Sequence, residues 1–535
     1  MTARLAIFLL VTTALGVVLR LLLLGTGINI DDAITLYVAR AENLQQLFER
    51  VVDREFGPPL YFIFMHFFLA IFGESTTALA APSILFSSLV IPTTYFLARE
   101  ISNKDNNTAA AVASYFAAIS PLAIIYSHEA RCYALLTLLT AVTYYLILLL
   151  KRHNHLLLKF SLFICASALF YTHYLGIFFF ALLGAGYFIK EIIFKEKLGS
   201  SLKPALLPLA LSLVAFIPWL PSMTTHLSHG TYWVDPTPVL DWPKVFFSNL
   251  AATLPLPWLQ GLLFLPLFFL GLLITALIPS KRKSLRIFSL KAWQKNPHLI
   301  PVLFTLLAAT STLGYITPFI VGYSRYMTPF VLLTCFLSGM AIASCLKEKA
   351  SGSALLVVAL ILLFIGIDCT WHVANLGSGD INGLRQLAKD IKQGKYEKSA
   401  FLLTPDFDSY TFIYYLEKES SLPLPEAYFT YPRKQERTPS SHRGYVEEWQ
   451  NEKRQDELLD ELSKLDKARY ESLIVITDND LLESTKMPAR TRVEQLLSRL
   501  KQRYGEAVSP AKEYKGRGRS FKIYRFKLST GLPAL

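Results

Sequence analysis

Long apolar runs joined by short polar links fill the first two thirds of the chain, and shorter mixed patterns fill the rest. Runs long enough to cross a bilayer fall near residues 5–24, 77–98, 109–127, 131–150, 156–172, 174–190, 204–222, 257–279, 298–319, 327–346 and 354–373, which predicts about eleven spanning helices. Basic residues sort the intervening links into two alternating sets. One set holds Arg99 and Lys104, then Lys151 and Arg152, then Lys190, Lys195, Lys197 and Lys203. It continues with Lys281, Arg282, Lys283, Arg286, Lys291 and Lys295, and ends at Lys347 and Lys349. The opposite links hold far fewer, so the positive-inside rule predicts a cytoplasmic N-terminus and a C-terminal region on the other side. The stretch PPLYFIFMHFFLAIF, residues 58–72, is apolar but short for a span, and a crossing there would invert every later basic link. We read it as an interfacial or re-entrant helix, so that residues 25–76 form one external loop lying on the membrane. Residues 222–256 read as a second large external loop.

After residue 374 the periodicity changes. The pattern predicts helices over 381–392, 410–417, 445–467 and 490–503. Buried strands are expected at 399–404 (SAFLLT) and 472–477 (SLIVIT), a strand-like segment at 426–431, and a hairpin over 512–527 turning at Gly516-Arg517-Gly518. Strands alternating with helices predict a small α/β domain. No repeat stands out, and no G-x-G-x-x-G or P-loop follows a strand.

Composition sharpens this picture. The 535 residues are 53% hydrophobic and 17% charged, the profile of a multispanning membrane protein. Residues 1–376 carry 25 Lys/Arg and 16 Asp/Glu, whereas 377–535 carry 28 and 24, a far higher charge density. The boundary therefore separates a transmembrane domain, 1–376, from a soluble domain, 377–535. The net charge of +13 lies mostly in the membrane part and reads as a topology signal, with no nucleic-acid partner expected. Cys132, Cys165, Cys335, Cys345 and Cys369 all sit in apolar segments and predict core packing without disulfides or metal spacing. Residues 5–24 lack an A-x-A cleavage pattern and read as an uncleaved first span.

Three polar clusters resist explanation by membrane insertion, all at expected external helix ends. INIDDAITLYVAR, residues 28–40, carries Asp31, Asp32 and Arg40. A carboxylate near hydrocarbon loses hydration, so the pair suits a catalytic base, while an N-cap role suits an Asp before a helix. Both readings can hold for different carboxylates, the N-cap most simply for Asp32 at the start of a helix over 33–40. YSHEARCY includes His128, Glu129, Arg131 and Tyr133, and YSRYMTP includes Arg325 and Tyr326. His173 and Tyr174 mark a fourth external end. Arginine in such loops can snorkel, pair with a carboxylate, or grip a phosphate with two parallel hydrogen bonds. The set suits transfer from a lipid phosphate, with cations stabilising the leaving phosphate and a carboxylate taking the acceptor's proton.

These residues resemble the GT-C glycosyltransferases of the protein-mannosyltransferase and aminoarabinose-transferase type. The matching pieces are Asp31-Asp32-Ala33 with Tyr37 and Ala39, then Gly57-Pro58-Pro59-Leu60-Tyr61, Phe72-Gly73, Ala78-Leu79 and Pro82-Ser83. SHEARCY (127–133), Thr172-His173-Tyr174 and Arg325-Tyr326 complete the set, which spans residues 1–346. The family's acidic pair is usually Asp-Glu, its two prolines often follow a basic residue or His, and its Ala-Leu pair often precedes Arg. Here the corresponding residues are Asp32, Gly57 and Ala80. The resemblance implies a polyprenyl-phosphate-linked sugar donor, an acceptor on the external face and inversion at the sugar carbon.

The expectation is thus a polytopic α-helical membrane protein of GT-C type, multi-pass in the inner (plasma) membrane, with a C-terminal extracytoplasmic α/β domain. Asp31 is the expected general base, and Asp32 positions it or pairs with Arg131. Arg325, Tyr326 and Arg131 are expected to bind the donor phosphate, with His128, Glu129, Tyr133, His173 and Tyr174 in support. No cofactor is required by any pattern; a divalent metal near Asp31 is compatible with the carboxylates, though no ligand spacing demands it. The acceptor is a protein, lipid or glycan. Two rival classes are a transporter or flippase of a lipid-linked or anionic substrate, to which Arg20 in the first span is the one pointer, and a non-catalytic assembly subunit.

Overall fold

The computed structural model describes residues 3–102, 107–228, 298–316, 324–346, 367, 383–404, 408–419, 421, 425–432, 453–478, 488–508, 512–515 and 520–528. In chain order the helices are α1 (Ala3–Leu21), α2 (Ile30–Ala39), α3 (Leu44–Arg54), α4 (Leu60–Phe72), α5 (Thr76–Ile101), α6 (Asn107–Ile119), α7 (Pro121–Ile125) and α8 (Tyr133–Leu150). They continue with α9 (Leu156–Phe170), α10 (Tyr174–Ile193), α11 (Lys203–Phe216), α12 (Leu220–Ser228), α13 (Leu299–Ile316) and α14 (Val331–Leu346). The chain divides into two units. One comprises Met1–Leu24, Phe56–Phe64 and Ala80–Gly377; the other comprises Gly25–Glu55, Met65–Leu79 and Ser378–Leu535.

The first unit is a helical bundle. Ala3–Leu21, Thr76–Ile101, Tyr133–Leu150, Tyr174–Ile193 and Lys203–Leu227 are long and apolar enough to cross a membrane. Leu60–Phe72, Asn107–Ile119, Leu156–Phe170 and Leu299–Thr312 are apolar but shorter. The spans expected at 257–279 and 354–373 lie outside the described residues, as does the expected external loop beyond Ser228. Exposed Leu10, Leu156, Leu157 and Leu207 give the bundle an apolar outer surface. Close packing inside depends on small residues. A Cβ placed on Gly186 of α10 would come 2.8 Å from the Pro301 Cα of α13. The run expected to cross at 109–127 is divided, because Pro121 has no N–H to continue α6; Ser120 instead caps the short helix α7.

α4 starts directly after Pro58-Pro59, whose fixed φ and missing N–H suit a helix start. It stops at Gly73, whose φ of +78° closes the helix with an N–H bond to the Leu69 carbonyl at 2.9 Å. Thirteen residues span only about 20 Å.

The second unit is built on a five-stranded sheet, ordered β2-β1-β3-β5-β4. Strands β1 (Ser399–Thr404), β2 (Tyr428–Thr430) and β3 (Ser472–Asp478) are parallel, and β4 (Lys512–Tyr514) and β5 (Phe521–Lys527) extend the sheet antiparallel. β1 and β3 are buried along their whole length, which explains the apolar runs AFLL and LIVI at their centres. Among the described residues, four helices join the unit after α14: α15 (Leu384–Lys392), α16 (Ser409–Tyr414), α17 (Lys453–Ser463) and α18 (Pro488–Tyr504). Leu458 and Leu462 of α17 and Val493, Leu496 and Leu500 of α18 pack with Leu402, Leu473, Val475 and Phe526 of the sheet. The expected strands and helices are present, with α17 seen from Lys453. The turn expected at Gly516-Arg517-Gly518 lies outside the described residues.

Candidate active site

Asp31 and Asp32 belong to the second unit and stand in the first turn of α2, where the helix dipole favours negative charge. The helix starts three residues before the expected position. Asn29 is its N-cap, and Asp32 occupies the third helical position of a capping box. This assigns the two carboxylates different environments: Asp32 is 4% exposed and engaged with the backbone, whereas Asp31 is half-buried. Asn29, and not Asp32, is therefore the N-cap; Asp32 lies inside the helix and supplies the reciprocal bond of the box.

The other end of α2 is tied by charge. Arg40 donates from Nε and Nη2 to the two Glu74 oxygens, both at 2.8 Å, in a bidentate pair. Glu417 lies 3.6 Å from the same guanidinium, and Lys418 pairs with Glu74. The hydrogen bond from Arg40, joined by the one from Lys418, holds the Glu74 carboxyl down at about 2, below its ordinary 4.5. His66 Nδ1 lies 2.8 Å from the Ala39 carbonyl and donates to it. Glu74, Glu417 and Lys418 carried no sequence signal, because segments distant in the chain bring them together.

The remaining predicted residues belong to the first unit. Tyr133 opens α8, His173 caps α10, and Tyr326 lies in a 3₁₀ segment, Ser324–Phe330. Their rings form a triangle, with centroid separations of 6.0 Å for Tyr133–His173, 6.2 Å for Tyr133–Tyr326 and 6.0 Å for His173–Tyr326. Arg325 Cζ lies 5.8 Å from the Tyr133 ring centroid, and Arg131 Cζ lies 5.9 Å from that of Phe62. The turn bearing Arg131 is fixed through its backbone: Ser83 Oγ donates to the Arg131 carbonyl at 3.4 Å, and Tyr61 Oη is 3.2 Å from Ser83 Oγ. Pro58-Pro59-Leu60-Tyr61, Pro82-Ser83 and the arginine turn, three of the sequence motifs, therefore meet.

His173 is half-buried and serves as an acceptor, its Nδ1 taking the Leu175 N–H at 3.1 Å. Burial, with a contribution from the Arg131 charge, lowers its pKa to about 4, so the ring is neutral near pH 7. His128 is likewise lowered to about 4 by burial, and its Nε2–H donates to the Arg20 carbonyl. Glu129 is half-buried in the same turn. Tyr174 bonds His226 Nδ1 at 2.8 Å and accepts from Trp219 Nε1 at 3.1 Å, two partners with no sequence motif. Arg20 is wholly buried. Its guanidinium donates to Ser87 Oγ at 2.8 Å and to the carbonyls of Gly16, Ala118 and Ala117 at 2.9, 3.0 and 3.3 Å, so it staples α1 to α5 and α6. Among the described residues, no three His, Cys, Asp or Glu side chains are grouped to hold a metal ion.

Residues 57–221 match the family model of dolichyl-phosphate-mannose-protein mannosyltransferase. The structure of ArnT from Cupriavidus metallidurans in the apo state aligns over 98% of this chain and 98% of its own, at 13% identity and a TM-score of 0.58. The same protein bound to undecaprenyl phosphate aligns over 100% of both chains, at 13% identity and 0.57. The oligosaccharyltransferase of Archaeoglobus fulgidus, in complex with Zn and sulfate, aligns over 88% of this chain and 68% of its own, at 13% identity and 0.51. No curated protein matches by sequence. The resemblance to GT-C glycosyltransferases read from the motifs is thereby shown, and at 13% identity the structural likeness establishes the fold.

Proposed function

We propose that this chain, built on the GT-C fold, is a membrane glycosyltransferase that moves one sugar from a polyprenyl-phosphate-linked donor to an acceptor on the extracytoplasmic face. The acceptor, a protein, lipid or glycan, attacks the anomeric carbon through a hydroxyl or amine. Asp31 takes its proton as general base. The bond from the anomeric carbon to the phosphate oxygen breaks with inversion, and the polyprenyl phosphate leaves with the electron pair. Arg325, Tyr326 and Arg131 bind that phosphate and stabilise the charge developing on it. Asp32 holds the first turn of α2 and so positions Asp31. Tyr133, His173 and Tyr174, with His128 and Glu129, support the cationic cluster. Arg131 and Arg325 supply the positive charge at the leaving phosphate, and no step passes through a metal.

The observation that carries this reading is Arg325 over the ring of Tyr133, which itself packs with His173 and Tyr326. A cation against an aromatic ring at helix ends of an apolar bundle supports this reading, because a lipid phosphate with a hydrocarbon tail needs both chemistries. Spans and basic links favour a plasma-membrane protein with a cytoplasmic N-terminus and residues 377–535 outside. The transporter reading loses its pointer, since Arg20 is consumed by neutral helix-to-helix bonds. Incubation of the purified protein with radiolabelled polyprenyl phosphate sugars tests the proposal. Loss of label from the lipid to an acceptor is expected, and label retained across all such donors and acceptors would sink it.

A further inference from the structure

Residues 414–418 of the second unit grip both ends of the acidic helix. Tyr415, fully buried, opens a π-helical turn, Tyr415–Glu419, that follows α16. Its hydroxyl accepts the Ile28 N–H at 2.8 Å and donates to the Ile28 carbonyl at 3.0 Å. One side chain thus satisfies both backbone groups of the residue before the N-cap Asn29, three before Asp31. Ile28 is 2% exposed, so water cannot replace those bonds, and losing the hydroxyl would strand two buried polar groups. The same turn reaches the other end of α2. Glu417 faces Arg40, Lys418 pairs with Glu74, and the Tyr414 hydroxyl donates to the Glu74 carbonyl at 3.2 Å. Arg385 of α15 adds a bond from Nη1 to the Gly25 carbonyl at 2.8 Å.

We infer that this turn is a bracket that sets the place of Asp31, with Tyr415 as a positioning residue for the transfer reaction. The inference rests on Asp31 being the general base. It gives the soluble region, which carries no motif of its own, a defined part in the reaction. Small displacements of a base from its proton are expensive, so a bracket at each end of a ten-residue helix is a direct route to activity.

Tyr415→Phe in the full-length protein removes only the hydroxyl. Amides of residues 28–33 are expected to exchange hydrogen about tenfold faster, with those of β3 unchanged. Per folded molecule, kcat is expected to fall about tenfold while the donor KM moves less than about twofold. Wild-type exchange at 28–33, or wild-type kcat, would overturn the bracket. Asp31→Asn assayed in parallel separates the two claims: if it retains full activity the base assignment fails, and hydrogen exchange still decides the bracket. Should Tyr415→Phe not fold, Glu417→Gln at the exposed end is expected to speed exchange at residues 38–41, and unchanged exchange there overturns the inference.

Discussion

Asn29 and Asp32 cap each other: Asn29 Oδ1 accepts the Asp32 N–H at 2.9 Å, and Asp32 Oδ2 accepts the Asn29 N–H at 2.9 Å. Two donors that a helix start leaves orphaned are satisfied by one reciprocal pair, which fixes the first turn of α2, where Asp31, the proposed general base, stands. Asn29→Ala and Asp32→Ala should each destabilise the fold by about 1 kcal/mol. Either change opens the box, so the double variant should lose less than the sum in thermal denaturation. Strict additivity would contradict a reciprocal cap.

The Glu74 pair with Arg40 and Lys418 gives an acid signature. Its carboxyl is held at about 2 against an ordinary 4.5, a depressed folded value. The stability it contributes is therefore complete above pH 4.5 and lost as pH falls from there toward 2. Glu74→Gln should be less stable at pH 7 and should show a flatter decline of the thermal midpoint across that window. Parallel declines for both proteins would show that Glu74 is not the titrating group.

Several elements were legible because a short local rule decides them. β1 and β3 read as buried strands since six apolar or small residues run unbroken, and α4 announces its start with two prolines. The ring and arginine cluster was legible as a set of residue types at helix ends, though its triangle needed three turns to meet. The acidic pair points to a helix start at Ala33, three residues after the observed one. Asn29, three residues before Asp32, has capping-box spacing and was the missed signal. Glu74, Lys418 and Tyr415 could not be found in this way, because each acts on a partner at least 34 residues away in sequence, as Glu74 does on Arg40.

Arg325 is proposed to grip the donor phosphate with paired donors. Arg325→Ala should lower kcat/KM for the donor about 10- to 100-fold, the loss of one charge-assisted contact. Arg325→Lys should recover only part of it, because an ammonium is a point charge without the planar fork. Full recovery by Lys would leave simple charge as the requirement and remove the bidentate grip.

If Arg131 and Arg325 supply the cations as proposed, transfer should persist within about twofold in excess EDTA, since charge stabilisation then does not wait on a bound ion. Activity abolished by the chelator and restored by one divalent cation would place a metal in the reaction.

The most direct test of the whole account is Asp31→Asn in the radiolabelled-donor assay, with membrane insertion and donor binding measured on the same preparation. Removing a general base should reduce transfer by about 100-fold or more while binding stays unchanged. Full transfer by a correctly inserted Asp31→Asn protein would contradict it.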